Sequence, residues 1–249
     1  MSVDPTNVIP LYAQVEAELA AEIVGGRLAI DAQVPTEDAL IQRFGVSRPT
    51  VRKAIQNLAS RGLVEIRRGT GTFVAEPKIT HALTALSGFV EDMQAAGHTP
   101  SARVVDMAIV PATRAVARQL ALTTGTRVVR IHRIRLADGA PISFDETYLP
   151  RDLGDKIMTD DLTVEPIFSL LERKYRVPLL EAEYRLEAIA AVGIVAAELD
   201  VGVGSPLVLI ERTSYSTDHR PVDYEKLHYR GDRVRFVTRL QRSPSRRRP

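Results

Sequence analysis

An α+β chain in two parts is the fold this sequence predicts, and three observations predict it. Residues 35–74 carry the order helix, tight turn, helix and β-hairpin, which is that of a winged helix-turn-helix. Residues 120–133 repeat at 199–212, an offset of 79, and each copy reads as a helix end, a glycine turn, a strand, a hairpin turn and a second strand. Between these regions Ala75-Glu76-Pro77-Lys78 breaks both patterns and reads as a linker.

The N-terminal part begins with Leu11, Val15, Leu19 and Ile23, one apolar residue every fourth position, on a helix ended by Gly25-Gly26. The next helix starts at Thr36, whose hydroxyl can cap orphan backbone N–H groups, with Glu37 and Asp38 against the positive end of the helix dipole. It stops at Gly45, where a left-handed residue is cheapest. Ser47 caps a third helix, Pro49 lies in its first turn, and Gly62 ends it. Val51, Ala54, Ile55 and Leu58 share one face of that helix, leaving Arg52, Lys53 and Gln56 on the other and Arg48 and Thr50 at its leading end. The inner face packs and the outer face is free to read a groove.

Residues 63–66 and Phe73-Val74 read as two short strands joined by a glycine turn, with Arg67 and Arg68 at its base. Gly69, Thr70 and Gly71 let the backbone approach a sugar-phosphate edge. An ordinary hairpin is the bland alternative, and a nucleotide-phosphate loop fits less well because no helix follows it.

Net charge is only +2, so its distribution matters more than its sum. Between Ser2 and Gln42 one base, Arg27, faces seven acids; from Arg43 to Arg68 seven bases face one acid, Glu65. That basic run coincides with the third helix and the wing, which points to double-stranded DNA. With no cysteine there is no disulfide framework or thiolate site, as suits a cytoplasmic protein. The start lacks a signal-peptide pattern and the longest apolar run, residues 188–197, is too short to span a bilayer, so no membrane association is expected.

In the second part the repeat predicts two hairpins joined in one antiparallel sheet. Strand parity puts Val129, Ile131, Arg133 and Arg135 on one face, as it does Val208, Ile210 and Arg212. Arginines ending an apolar stripe mark either a sheet edge in solvent or an anion site, and spacing alone favours solvent. Ser143, Asp145 and Thr147 share a face, as do Asp223, Glu225, Leu227 and Tyr229; an exposed strand face and a pocket both explain them. The five histidines, His81, His98, His132, His219 and His228, show no metal-ligand spacing and no nucleophile is paired with a base, so neither cofactor nor catalytic residue is expected.

The N-terminal part resembles the DNA-binding domain of the GntR family of bacterial transcription regulators. The resemblance is carried by Pro10-Leu11-Tyr12, Pro35-Thr36-Glu37, the run from Phe44 to Ala54 (FGVSRPTVRKA) and Gly69-Thr70-Gly71-Thr72-Phe73-Val74. It implies that Arg48 and Arg52 reach base edges, that Thr36, Thr50 and the backbone of Gly69, Thr70 and Gly71 hold phosphates, and that Lys53 and Arg68 add to the DNA-binding set. Asp38 departs from the pattern, since the family commonly has arginine there.

The second part resembles the UTRA domain of the HutC branch of that family, a chorismate lyase-like α+β fold around an antiparallel sheet. Phe89-Val90-Glu91-Asp92-Met93, the run from Arg133 to Pro141, Asp145-Glu146-Thr147-Tyr148-Leu149-Pro150 and Arg212-Thr213-Ser214-Tyr215 carry it. The resemblance implies a small-molecule effector, polar and acidic, with Arg133 and Arg135 on its anionic group, Asp145 and Asp223 accepting from hydroxyls or an amine, and Tyr229 donating. Phe89 lines the mouth, and Phe168 and Lys226 complete the expected effector-binding set. A helix start that offers serine and then tyrosine in phosphosugar-binding relatives reads Glu165-Pro166-Ile167-Phe168 here, which argues against a sugar phosphate. The expected organisation is a DNA-binding domain over 8–75, a linker over 76–80, an effector domain over 81–242 and a disordered basic tail over 243–249. The expected activity is that of a repressor, acting as a homodimer on a two-fold operator; a lyase-like enzyme is the rival reading.

Overall fold

The computed structural model describes residues 3–4, 6–67, 69–83 and 86–240. Its contacts divide the chain into two compact units that meet between Lys78 and Ile79. Among the described residues no helix is long and apolar enough to cross a membrane.

The first unit contains α1 (Leu11–Val24), α2 (Glu37–Phe44), α3 (Arg48–Ser60) and the hairpin β1 (Val64–Arg67) and β2 (Gly71–Val74). Thr36 caps α2 by accepting from the Ala39 N–H, and Gly45 ends it with φ +65°, a conformation an L side chain adopts only under strain. Ser47 does sit at the start of α3, yet its hydroxyl bonds the Thr50 hydroxyl at 2.8 Å instead of a backbone N–H. Val15, Leu19, Leu40, Phe44, Val51, Ala54, Leu58 and Val74 form one buried core, so the apolar stripes of all three helices and the wing meet. The hairpin turn is tighter than its sequence suggests, because Arg67 pairs with Gly71 in the ladder.

The second unit contains β3 (Ile79–Ala82), α4 (Phe89–Ala95), β4 (Pro100–Pro111), α5 (Arg114–Gln119), β5 (Arg127–Ala137), β6 (Ala140–Pro150), α6 (Arg151–Ile157) and α7 (Ile167–Ser169), the last continuing into a wider turn over Leu170–Lys174. Then follow β7 (Leu179–Ala190), α8 (Gly193–Glu198), β8 (Pro206–Ser216), β9 (Pro221–Arg230) and β10 (Val234–Val237). Six antiparallel strands form one sheet in the order β4-β5-β6-β9-β8-β7, and β3 pairs in parallel with β10 apart from it.

This order is the internal repeat made three-dimensional: β4-α5-β5-β6 and β7-α8-β8-β9 are two copies joined where β6 meets β9. Backbone details repeat too, with φ +53° at Ala121 and +51° at Asp200, and +86° at Gly125 and +89° at Gly204. The two expected hairpins are present, and each copy adds an outer strand, β4 or β7. Ile79 and Thr80, read as linker from sequence, belong to β3.

One sheet face carries two apolar clusters. Val129, Ile131 and Leu149 pack with Leu153 and Ile157 of α6 and with Ile167, while Ile210, Leu227 and Tyr229 pack with Phe89, Met93 and Ile79. On the other face Val128 and Tyr224 pack with Val116 and Ala117 of α5, and Ile134 and Phe144 with Ala196 of α8. Between the two clusters of the first face lies a strip of charged side chains.

Candidate DNA-reading surface and ligand cleft

The first unit leaves the outer side of α3 open: Arg48, Arg52, Lys53 and Gln56 are exposed and Thr50 is half-buried, opposite the core-facing stripe. Thr36 at the start of α2 and Gly69 and Thr70 at the wing tip are also exposed, and Gly71 is half-buried. Arg68 lies outside the described residues. Two acids share this surface with the arginines. Glu37 accepts from Arg52 Nε at 3.0 and 3.1 Å and from Arg48 Nη1 at 3.3 Å, while Asp38 accepts from Arg48 Nη2. Arg67 is tied down, bonded to Asp31 at 2.7 Å and stacked with its Cζ 4.3 Å from the Phe73 ring centroid.

In the second unit the charged strip floors a partly open cleft whose walls come from β3, the start of α4, α7 and the central strands. Arg133, Arg135, Asp145, Phe89, Phe168 and Tyr229 line it, together with Arg212, Glu225, Tyr184 and His81. Alternation along β5, β6, β8 and β9 aims every one of the sheet's charged residues in this group at the same side. The solvent reading of the arginines is therefore overturned: Arg133 is 0% exposed, Arg135 7% and Arg212 9%.

Two residues of the expected effector set do not line the cleft. Lys226 lies between Glu225 and Leu227 on β9, so its side chain leaves by the opposite sheet face, where its register partners are Glu146 and Glu211. Asp223 shares the cleft's side of the sheet but is fully buried beyond it, accepting from the Ser214 N–H at 3.2 Å. Burial and the nearby Glu225 charge push its carboxyl up to about 7.

Arg212 and Glu225 were visible on parity but were not singled out, and the repeat is the signal that finds them. Arg212 stands 79 residues after Arg133 and Glu225 stands 80 after Asp145, the offsets of the first and second strands of the repeat. The copies use these equivalents differently. Arg212 bonds Glu225, donates to the Tyr184 hydroxyl at 3.2 Å and the Ser87 carbonyl at 3.4 Å, and stacks with its Cζ 4.3 Å from the Phe168 centroid. Burial opposes its charge, but Glu225 and its other partners outweigh burial and the guanidinium is held above its ordinary value. Thr147 completes Glu225 with a bond of 2.9 Å.

In the first copy Asp145 instead pairs with Arg135 at 3.0 Å and accepts from Ser143 at 2.7 Å. Arg133 is left over: among the described residues none of its three guanidinium nitrogens has a hydrogen-bond partner. Burial, then the Arg135 charge, pulls it down to about 9. An arginine does not give up its charge easily, so this depression measures how poorly the folded chain alone compensates it. His81 closes the rim with its Nε2 2.8 Å from one carboxylate oxygen of Asp92, whose other oxygen accepts from Ser87 at 2.6 Å.

Comparison with known proteins agrees with both halves. Residues 11–74 match the model of the bacterial regulatory proteins of the gntR family and residues 95–235 match the UTRA domain. The chain is 34% identical over 242 residues to the HTH-type transcriptional repressor NagR of Bacillus subtilis, covering 97% of this chain and 99% of that one. It is 30% identical over 233 residues to the histidine utilization repressor of Pseudomonas putida, covering 94% and 93% respectively. The crystal structure of PhnF from Mycobacterium smegmatis superposes with a TM-score of 0.65 at 26% identity, covering 92% of this chain and all of that one. NagR is named a transcriptional repressor and the Pseudomonas putida protein a utilization repressor, which gives the lyase-like alternative no support. The chain is a DNA-binding transcription regulator of the GntR family, in the HutC branch defined by a UTRA domain.

Proposed function

We propose that this regulator is a repressor whose hold on its operator is controlled by a small monoanion seated on Arg133. The buried, unpartnered Arg133 guanidinium carries the reading. On the sheet three guanidinium groups, Arg133, Arg135 and Arg212, face two carboxylates, Asp145 and Glu225, while the third carboxylate of the lining, Asp92, lies at the rim beside His81, so the sheet floor itself is about one positive charge in excess. A single carboxylate or a singly charged phosphodiester balances that floor; a phosphate dianion overcharges it. Asp145 and Glu225 retain lone pairs for hydroxyl or amino groups on the same molecule, and Phe89 and Phe168 give it apolar walls. Asp223, set behind Glu225, acts on the ligand through the charge of the floor.

On the DNA side, Arg48 and Arg52 of α3 read base edges and Thr36, Thr50, Lys53 and the wing backbone from Gly69 to Gly71 hold phosphates. The chain acts as a homodimer, placing one α3 in each half of a two-fold operator, and the ligand favours an arrangement in which the two helices no longer match the half-site spacing. A hundredfold release needs about 2.7 kcal/mol of discrimination between the two states, within reach of two or three charge-assisted hydrogen bonds.

The test is a gel shift with the full-length protein and an operator selected from random duplexes, titrated with hydroxy- and amino-carboxylates and with phosphate monoesters. A carboxylate is expected to release the operator, and Arg48→Ala or Arg52→Ala to abolish specific binding. If only phosphate monoesters act, or if Arg133→Ala responds to the carboxylate like the wild type, the ligand assignment fails. A monomer on the operator by size measurement refutes the two-fold arrangement.

A further inference from the structure

The acid at the centre of the DNA-reading surface is unexplained by the functions assigned so far. Asp38 is 71% exposed in its side chain, on the first turn of α2, and its carboxylate bonds the guanidinium of Arg48, which is 51% exposed. A free carboxylate on a surface that meets phosphates weakens binding to every DNA sequence alike. This one is held against a base-reading arginine, and that gives it a use.

We propose that Asp38 is a specificity-determining residue of this DNA reader, fixing Arg48 and accepting a hydrogen bond from an exocyclic amine in the major groove, cytosine N4 first. The proposal rests on α3 being the helix that enters the groove. Arg48 carries five N–H donors. Asp38 takes one through Nη2 and Glu37 one through Nη1. Each of those nitrogens keeps a second hydrogen, and the two together suit guanine N7 and O6. Holding the fork at both sides costs the arginine rotamer freedom before DNA arrives, so less is lost on binding.

Asp38 uses Oδ1 on Arg48, which leaves Oδ2 without a hydrogen-bond partner among the described residues. An oxygen in that position accepts from the amine of cytosine or adenine and repels the acceptor edges of guanine and thymine. Arg48 and Asp38 together therefore read a guanine and an amine-bearing base beside it, where an arginine in place of Asp38 would read a second guanine. Glu37 has a different task, since it braces Arg52 as well as Arg48.

The experiment is selection of binding sites from a randomised duplex library by the full-length wild type, Asp38→Ala, Asp38→Asn and Asp38→Arg, followed by titration of the wild-type consensus and its single-base variants at two salt concentrations. The wild type is expected to require cytosine or adenine at one position of each half-site next to a guanine. Asp38→Ala should lose that preference by ~10-fold and weaken the adjacent guanine preference while positions away from this pair keep theirs, and Asp38→Arg should move it to guanine. If Asp38→Ala binds all sequences more tightly by one common factor with unchanged base preferences, Asp38 is only a surface charge and the proposal is overturned. Failure of the wild type to select any consensus refutes the reading helix itself, a separate outcome.

Discussion

Replacing Arg133 by methionine separates the cost of this side chain from its use. The guanidinium is fully buried, has no hydrogen-bond partner among the described residues, and is held at about 9 against an ordinary 12.5. At 1.36 kcal/mol per tenfold change in proton affinity, the ligand-free fold gives up as much as about 5 kcal/mol to keep this charge. Methionine keeps an unbranched apolar stem and removes the charge; exchanging buried ionic groups for apolar ones of similar volume stabilises proteins by roughly 1–4 kcal/mol. We expect Arg133→Met to gain about 2 kcal/mol, which for a unit of this size raises Tm by roughly 4–8 °C. The same substitution removes the ligand's anchor. Wild type with a carboxylate effector at a hundred times its Kd should gain about 2.7 kcal/mol, and the variant should gain almost nothing. Thermal unfolding of the full-length protein with and without the carboxylate measures both. A ligand-free variant less stable than wild type would show that Arg133 is a structural group, and a variant that kept the ligand-dependent gain would show that the anion sits elsewhere.

Asp223→Asn should stabilise the second unit at pH 8 by a few kcal/mol, because a carboxyl held near 7 in the fold and near 3.8 when unfolded makes wild-type stability fall as pH rises from about 4 to 7. The advantage of the variant should shrink to nothing by pH 4, and a constant advantage would contradict the assignment. Glu225→Ala strands the buried Arg212 charge and should cost 3 to 5 kcal/mol on the order found for broken buried pairs, while Glu225→Ala with Arg212→Met should recover most of it. Urea midpoints at unchanged slope are the measurement. Gly154→Ala on α6 should cost up to about 2 kcal/mol: the new Cβ would meet Val129 Cβ at 2.5 Å, and overpacking of roughly 1–3 kcal/mol is set against the roughly 1 kcal/mol that alanine gains over glycine in a helix. A raised Tm for that variant would mean that β5 yields easily.

The winged helix-turn-helix was legible because its signals are local. A cap at Thr36, a left-handed glycine at Gly45, a proline in the first turn of α3 and an apolar stripe every third or fourth residue each act within one or two helical turns. Sequence also exposed the repeat, since the two copies share turn chemistry at Gly125 and Gly204. It missed β4 and β7, each joined to its partner strand through a helix, α5 or α8, instead of a hairpin turn, and the parallel pairing of β3 with β10, which joins the beginning of the second unit to its end. Ser47 shows the limit of a local rule: the right residue stands at the cap, and the hydroxyl of Thr50 three positions on competes successfully for it.

The cleft divides in the same way. Parity assigned Arg133, Arg135, Asp145 and Tyr229 to definite strand faces, and sequence alone determined that those faces are mixed apolar and charged. Whether such a face is wet or buried depends on what covers it, and the covering elements, α4 with β3 and α7, come from places in the chain that no periodicity links to the strands. Tertiary structure alone decided that Arg133 is enclosed, that Arg212 takes Glu225 while Arg133 takes nothing, and that Lys226 leaves by the other face. The reading helix needed only neighbours in sequence to form. Pairing of charges across a folded sheet is a competition among groups up to 92 residues apart, from Arg133 to Glu225, and only the packed chain holds that competition.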